Sequence, residues 1–150
     1  MADRAPVAIR IGGMLRLALL PAFLDAIEAE GALADWDGAR ITQAHLDAGT
    51  PLYLVRDDVD GGRFEALETF CKANALPFAR WRGGNPGAFD PERLVFDGAC
   101  ERVFDVNEEN SEILVPASLI RELGTTEALL EHLAAGEFAV PALRIVPADD

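Results

Sequence analysis

The sequence is short of the residue types on which catalytic and cofactor sites most often depend. It has two histidines, two cysteines and two serines, and lysine occurs once, at Lys72. Its glycine pairs form neither GxGxxG nor GxxxxGK[ST], no serine lies in GxSxG, and neither HExxH nor CxxC occurs. We therefore predict no cofactor and no catalytic residue from motifs, and we expect His45 and His132 to have structural roles.

Long apolar runs are also missing. No run reaches the length of a membrane span, and residues 1–6 lack the basic start and apolar core of a signal peptide. We expect a cytoplasmic protein, in which Cys71 and Cys100 stay reduced, and we expect both thiols to be buried. The abundance of alanine, glycine, arginine and proline is typical of a GC-rich bacterial genome.

Basic residues are scarce, with 13 Lys and Arg against 26 Asp and Glu, so the net charge is -13. Such a surface repels nucleic-acid backbones and anionic membranes, and direct binding to either is disfavoured. The acidity is concentrated in residues 97–150, which hold 12 acidic and 3 basic residues. This segment suits a protein partner, preferably a basic one, and is compatible with a homo-oligomer.

The hydrophobic content is high enough for folding. Half of the 150 residues are hydrophobic, and a chain of this length can bury a full core without metal or disulfide. We expect a single α+β domain spanning residues 1–150, with residues 1–6 and 147–150 disordered.

The strongest local pattern begins with an apolar strand. Residues 52–55 are apolar on both faces, which predicts a central strand of a covered sheet. Glycines and short acidic side chains then favour a turn. The turn residues are Asp57, Asp58, Asp60, Gly61 and Gly62.

A helix is predicted directly after this turn, from Arg63 onward. Apolar residues recur there at helical spacing and would cover the sheet, while charged residues fall on the opposite side, toward solvent. The buried stripe is Phe64, Leu67 and Cys71, and the solvent-facing set is Glu65, Glu68 and Lys72.

Weaker patterns predict the remaining elements. Strands are expected at 7–11, 40–41, 77–82, 94–96, 103–106 and 143–145. One helix is expected within 14–31, beginning near Pro21, a second from Pro116 to Gly124, and a third from Thr125 or Thr126 to a C-cap at Gly136. The predicted fold is a mixed β-sheet of about five strands with two main helices packed on it and a short helical pair near the C-terminus.

The acidic turn is one candidate site. Asp57, Asp58 and Asp60 could bind a divalent cation, with Glu65 or Glu68 as a further ligand or base. The spacing does not fit an EF-hand, because the twelfth loop position would be a threonine instead of a glutamate. The alternative interpretation is structural: these carboxylates end the strand and stabilise the N-terminus of the helix.

A second candidate site is the only local group that is both basic and aromatic. Arg80, Trp81 and Arg82 adjoin a glycine-rich turn and could clamp a carboxylate or phosphate. In the alternative interpretation, the two arginine stems cover an apolar strand on the face of Phe78 while Trp81 enters the core.

Two functional hypotheses follow. The leading one is a non-catalytic bacterial protein-interaction or regulatory domain with an acidic surface, which in one form would mimic nucleic acid. The alternative is a divalent-cation-dependent enzyme that uses Asp57, Asp58 and Asp60.

Overall fold

The computed structural model describes residues 3–147 and has the predicted α+β class. Within this range it contains a five-stranded sheet, a two-stranded sheet and five α-helices, none of which is long and apolar enough to cross a membrane. The strands are β1 (Arg4–Ile11), β2 (Gly13–Arg16), β3 (Leu52–Asp60), β4 (Phe78–Arg82), β5 (Glu92–Phe96), β6 (Glu101–Asp105) and β7 (Leu143–Val146). The helices are α1 (Leu20–Glu30), α2 (Gln43–Leu46), α3 (Glu65–Ala73), α4 (Ala117–Leu123) and α5 (Thr126–Gly136).

The five-stranded sheet has the order β3-β1-β4-β5-β6, and its neighbouring strands are all antiparallel. The prediction that residues 52–55 form a central strand is wrong, because β3 lies at the edge. A segment from elsewhere in the chain covers this edge. The backbone of Leu33 exchanges two hydrogen bonds of 2.8 Å with Val55, so that the edge is covered and Val55 is buried.

The main core lies on one face of this sheet, here called the front face, under α1 and α3. The predicted stripe on α3 is confirmed: Phe64, Leu67 and Cys71 are fully buried. The ring of Phe70, beside this stripe, lies 5.5 Å from the ring of Phe23 on α1. The burial of these side chains against the apolar residues of β1 and β3 holds the two helices on the sheet.

The apolar segment 14–31 begins as a strand and not as a helix. Helix α1 begins beside Pro21, as predicted, and ends at Gly31 with a positive φ of 64°. Residues 13–16 form β2, which pairs in parallel with β7, and a short 3-10 helix at Leu17–Leu19 joins β2 to α1. At Gly12 the chain passes so close to Pro141 that a Cβ would lie 1.7 Å from the Pro141 carbonyl oxygen, and only glycine fits there.

Three further expectations need correction. Residues 4–6 belong to β1 and are not disordered, while residues 1–2 and 148–150 of the predicted tails lie outside the described range. Residues 40–41 form no strand, and a capping box between Thr42 and His45 begins α2 nearby. Cys100 is exposed, because it lies in the turn between β5 and β6, whereas Cys71 is buried as expected.

The C-terminal part follows the prediction more closely. Strands β5 and β6 form the predicted hairpin, and the hydroxyl of Thr125 caps α5 by accepting from Ala128 N–H at 3.1 Å. Helix α5 packs on the sheet face opposite α3, here called the back face, where the ring of His132 lies 4.9 Å from that of Phe104. Gly136 is the last residue of this helix and not the residue after it.

Candidate functional site

The acidic residues proposed as a cation site lie within β3 and not in a turn. The strand continues because Arg4 pairs with Asp60 across the sheet, and the Arg4 guanidinium contacts Asp58 at 3.0 Å and Asp60 at 2.8 Å. Residues 3–147 contain no group of three or more His, Cys, Asp or Glu side chains arranged to hold a metal ion. The cation site therefore stays a prediction, and two of its three carboxylates pair with an arginine.

Glu68 was expected to face solvent, and that expectation is wrong. Its side chain is 5% exposed and accepts hydrogen bonds from Phe64 N–H at 2.7 Å and from Arg80 Nε at 3.1 Å. Burial raises the pKa of Glu68, whereas the positive charge of Arg80 opposes that rise. Helix α3 lies over β4, and this position of the helix consequently faces an arginine instead of water.

Arg80 and Arg82 line a cavity of about 360 Å³ on the front face, here called the polar cleft. Arg80 also contacts Glu92 at 3.2 Å and donates to the Gly62 carbonyl at 3.0 Å. Arg82 lies 3.4 Å from Glu92. Since carboxylates of the protein already neutralise both arginines, the polar cleft is an ion-pair network that fixes α3 to the sheet.

Trp81 points to the other side of β4. It lines a cavity on the back face together with Arg10 and Arg93, and its indole Nε1 is buried without a hydrogen-bond partner. The structure therefore does not bring Arg80, Trp81 and Arg82 together around one ligand. Alternation along β4 separates the tryptophan from both arginines.

A groove of about 1040 Å³ lies at one end of the sheet and is here called the C-terminal groove. It lies between the turn-rich residues 84–91 and residues 105–116, and no Lys, Arg or His side chain within 3–147 lines it. Its apolar lining is Pro86, Phe89, Pro91, Val106, Leu114, Val115 and Pro116, and its carboxylates are Asp90, Asp105 and Glu108.

Hydrogen bonds to neighbouring segments hold the turn-rich wall of this groove. Arg82 Nη2 donates to the Asp90 carbonyl at 2.8 Å, and the Arg82 guanidinium carbon lies 4.1 Å from the centre of the Phe89 ring. Gly84 N–H donates to the Glu108 carboxylate at 2.8 Å. The groove is therefore built before any partner binds, and one of the predicted site residues, Arg82, supports its wall.

The opposite wall carries the groove's most accessible large apolar side chain. Leu114 is 47% exposed although its N–H is fixed by the Asp105 carbonyl at 2.8 Å. An apolar side chain could pack against Leu114 while a cation beside it meets the carboxylates. The sequence did not reveal this groove, because its walls come from loops separated by more than a strand and each looks ordinary alone.

Compared with protein-family models, with curated proteins and with solved structures, the chain has no significant match in any of the three.

Proposed function

We propose that this protein is a non-catalytic interaction domain and that the C-terminal groove binds a partner segment with an apolar anchor next to Arg or Lys. One observation carries the proposal: apolar residues line the groove with three carboxylates and without a cation among the described residues. An apolar anchor would displace water from Leu114 and Phe89. Asp90 and Asp105 would select basic neighbours of that anchor and reject acidic ones.

The surroundings of the groove support the same partner class. From residue 107 to residue 142 only Gly136 is buried, and this segment exposes large apolar side chains, including Ile120 (47%) and Leu130 (59%). Exposed glutamates on α4 and α5 add negative charge around them. A negative electrostatic field over an apolar surface accelerates the encounter with a basic partner. The apolar contacts then hold the bound partner.

Selection from a random peptide library displayed on phage tests the proposal directly, since such a library offers segments of every chemistry. The immobilised protein should enrich peptides in which a Leu, Ile, Phe or Trp lies beside at least one Arg or Lys. Enrichment of peptides without that pattern, or failure to enrich any sequence at low salt, would contradict the proposal.

Two matched charge variants show whether a selected peptide uses the groove. Asp90→Asn and Asp105→Asn together remove two groove carboxylates, whereas Asp25→Asn with Glu28→Gln removes two exposed carboxylates on α1. We expect the groove variant to weaken binding by about tenfold and the α1 variant to change it little. Equal weakening would mean that the peptide responds only to net charge.

A further inference from the structure

The back face of the sheet holds a second cavity, of about 470 Å³, here called the back cavity. It lies between the sheet and the chain that follows α5, and its volume is within the range of small-molecule sites. Its lining combines apolar walls with several hydrogen-bond donors. The lining includes Arg10, Trp81, Arg93, Glu137, Phe138 and Val140, and Ser111 lies beside Arg93.

Two arginines reach this cavity without a carboxylate partner. Within residues 3–147, neither Arg10 nor Arg93 forms an ion pair. The Arg93 guanidinium donates to the Gly136 carbonyl at 2.8 Å and to the Ser111 hydroxyl at 3.0 Å, both uncharged acceptors. Arg10 is exposed and lies over the Tyr53 ring, with 4.6 Å between the guanidinium carbon and the ring centre.

These two cations interact unfavourably. Burial lowers the pKa of Arg93, Glu137 raises it, and the nearby charge of Arg10 lowers it again. Two guanidinium groups therefore share one region with partial compensation from a single carboxylate. Beside them, the Trp81 Nε1–H is a buried donor without an acceptor, which is costly for a polar group shielded from water.

We propose that the back cavity binds a small organic carboxylate whose oxygens lie near Arg10 and the Trp81 indole N–H. One anionic group would relieve the repulsion between the arginines and satisfy the unpaired indole donor. The apolar body of the ligand would pack against Phe138 and Val140. This site is separate from the C-terminal groove and does not depend on it.

The surrounding charge favours a monoanion over a phosphate. Glu137 lines the cavity and Glu108 and Glu109 line an adjoining one, while the whole chain carries a net charge of -13. A dianion would meet more repulsion from these groups than a carboxylate does. A neutral ligand would add nothing to the partial compensation that Glu137 gives the arginine pair.

Indole resonances in proton–nitrogen NMR spectra of the full chain provide the test. The chain has two tryptophans, so the Trp81 indole signal is identified by the loss of the other in Trp36→Phe. Titration with benzoate should shift the Trp81 indole N–H, as expected when this donor gains an anionic acceptor, and benzamide and inorganic phosphate should not. No shift with millimolar benzoate, or an equal shift with benzamide or phosphate, would overturn the proposal.

Matched variants locate the anion. Arg10→Gln should weaken benzoate binding by at least about tenfold, because it removes a charged donor, and Arg10→Lys should restore part of the loss. Arg16→Gln, at an exposed arginine on β2, should bind benzoate like the wild type. Both arginines are exposed, and the rest of each spectrum reports whether the variant is folded. Benzoate binding that survives Arg10→Gln would overturn the site.

Discussion

The two faces of the five-stranded sheet are covered in different ways. On the front face, α1 and α3 bury a continuous core that includes Phe23, Phe64 and Leu67, each fully removed from solvent. On the back face, residues 107–142 contribute a single buried residue, Gly136, although they include two helices. The front cover accounts for stability through apolar burial, whereas the back cover leaves its apolar side chains available for binding.

The two faces also differ in whether their arginines are paired with carboxylates of the protein. The front-face arginine Arg80 is 5% exposed and pairs with two glutamates of the protein. The back-face arginines Arg10 and Arg93 pair with no carboxylate of the described residues. The front face therefore pairs its buried arginine with glutamates of the protein, whereas the back face leaves two arginines without an ion pair, which agrees with the anion proposed for the back cavity.

The largest expected effect comes from breaking the front-face ion pair. Glu68→Ala removes the buried partner of Arg80 and should lower the free energy of unfolding by about 3–5 kcal/mol, measured by urea denaturation. Asp58→Ala, at the exposed partner of Arg4, serves as the control and should have little effect.

An apolar double variant shows how much of the stability loss in Glu68→Ala comes from leaving the charge of Arg80 without its buried partner and how much from lost packing. Glu68→Leu with Arg80→Met replaces both charges and should recover part of the stability lost in Glu68→Ala, because no buried charge is then left alone while Phe64 N–H still lacks its acceptor. A double variant as unstable as Glu68→Ala would contradict this explanation.

Truncation of one leucine on each face compares how much the two covers contribute to stability. Leu67→Ala on α3 opens a cavity in the front core and should lower the free energy of unfolding by about 2–5 kcal/mol. Leu130→Ala on α5 removes a side chain that is 59% exposed and should lower it by less than about 1 kcal/mol. Thermal or urea denaturation of the two variants measures both. Similar costs would mean that the back cover contributes to stability as much as the front.

The smallest effect is a difference in thiol reactivity that leaves stability unchanged. Burial and, to a smaller degree, the charge of Glu68 raise the pKa of the Cys71 thiol to about 12, while Cys100 is exposed. In the native protein near pH 8, a maleimide should label one thiol quickly, and peptide mapping should find it at Cys100. Labelling of Cys71 at the same rate would show that α3 does not stay closed over the front core.

Elements decided by local pattern could be predicted from the sequence. The alternation at 7–11 and 77–82, the stripe on α3 and the Thr125 cap each depend on residues within one segment. The position of β3 could not be predicted, because its outer edge is covered by a bridge to Leu33, which is distant in sequence. The pairing of β2 with β7 joins residues near opposite ends of the chain, and no local pattern indicates it.

The candidate sites were harder to predict for the same reason. Glu68 looked solvent-facing on its own helix, and only the packing of α3 over β4 brings it to Arg80. Arg80, Trp81 and Arg82 are adjacent in sequence, yet the strand sends them to opposite faces. The C-terminal groove depends on a wall held by Arg82 and on an apolar residue, Leu114, more than thirty positions away.

The C-terminal groove is proposed to bind a partner segment and to contribute little to the stability of the protein. The most direct test measures, for one basic peptide obtained by selection, its affinity by fluorescence anisotropy and the melting temperature of each protein variant. Leu114→Ser lies in the groove, and Leu17→Ser, between β2 and α1, is a matched control outside it with similar exposure (52%). We predict that Leu114→Ser weakens binding by about tenfold or more with an almost unchanged melting temperature, and that Leu17→Ser changes neither. Equal loss of affinity in both variants, or a loss in Leu114→Ser that is accompanied by unfolding, would contradict the claim.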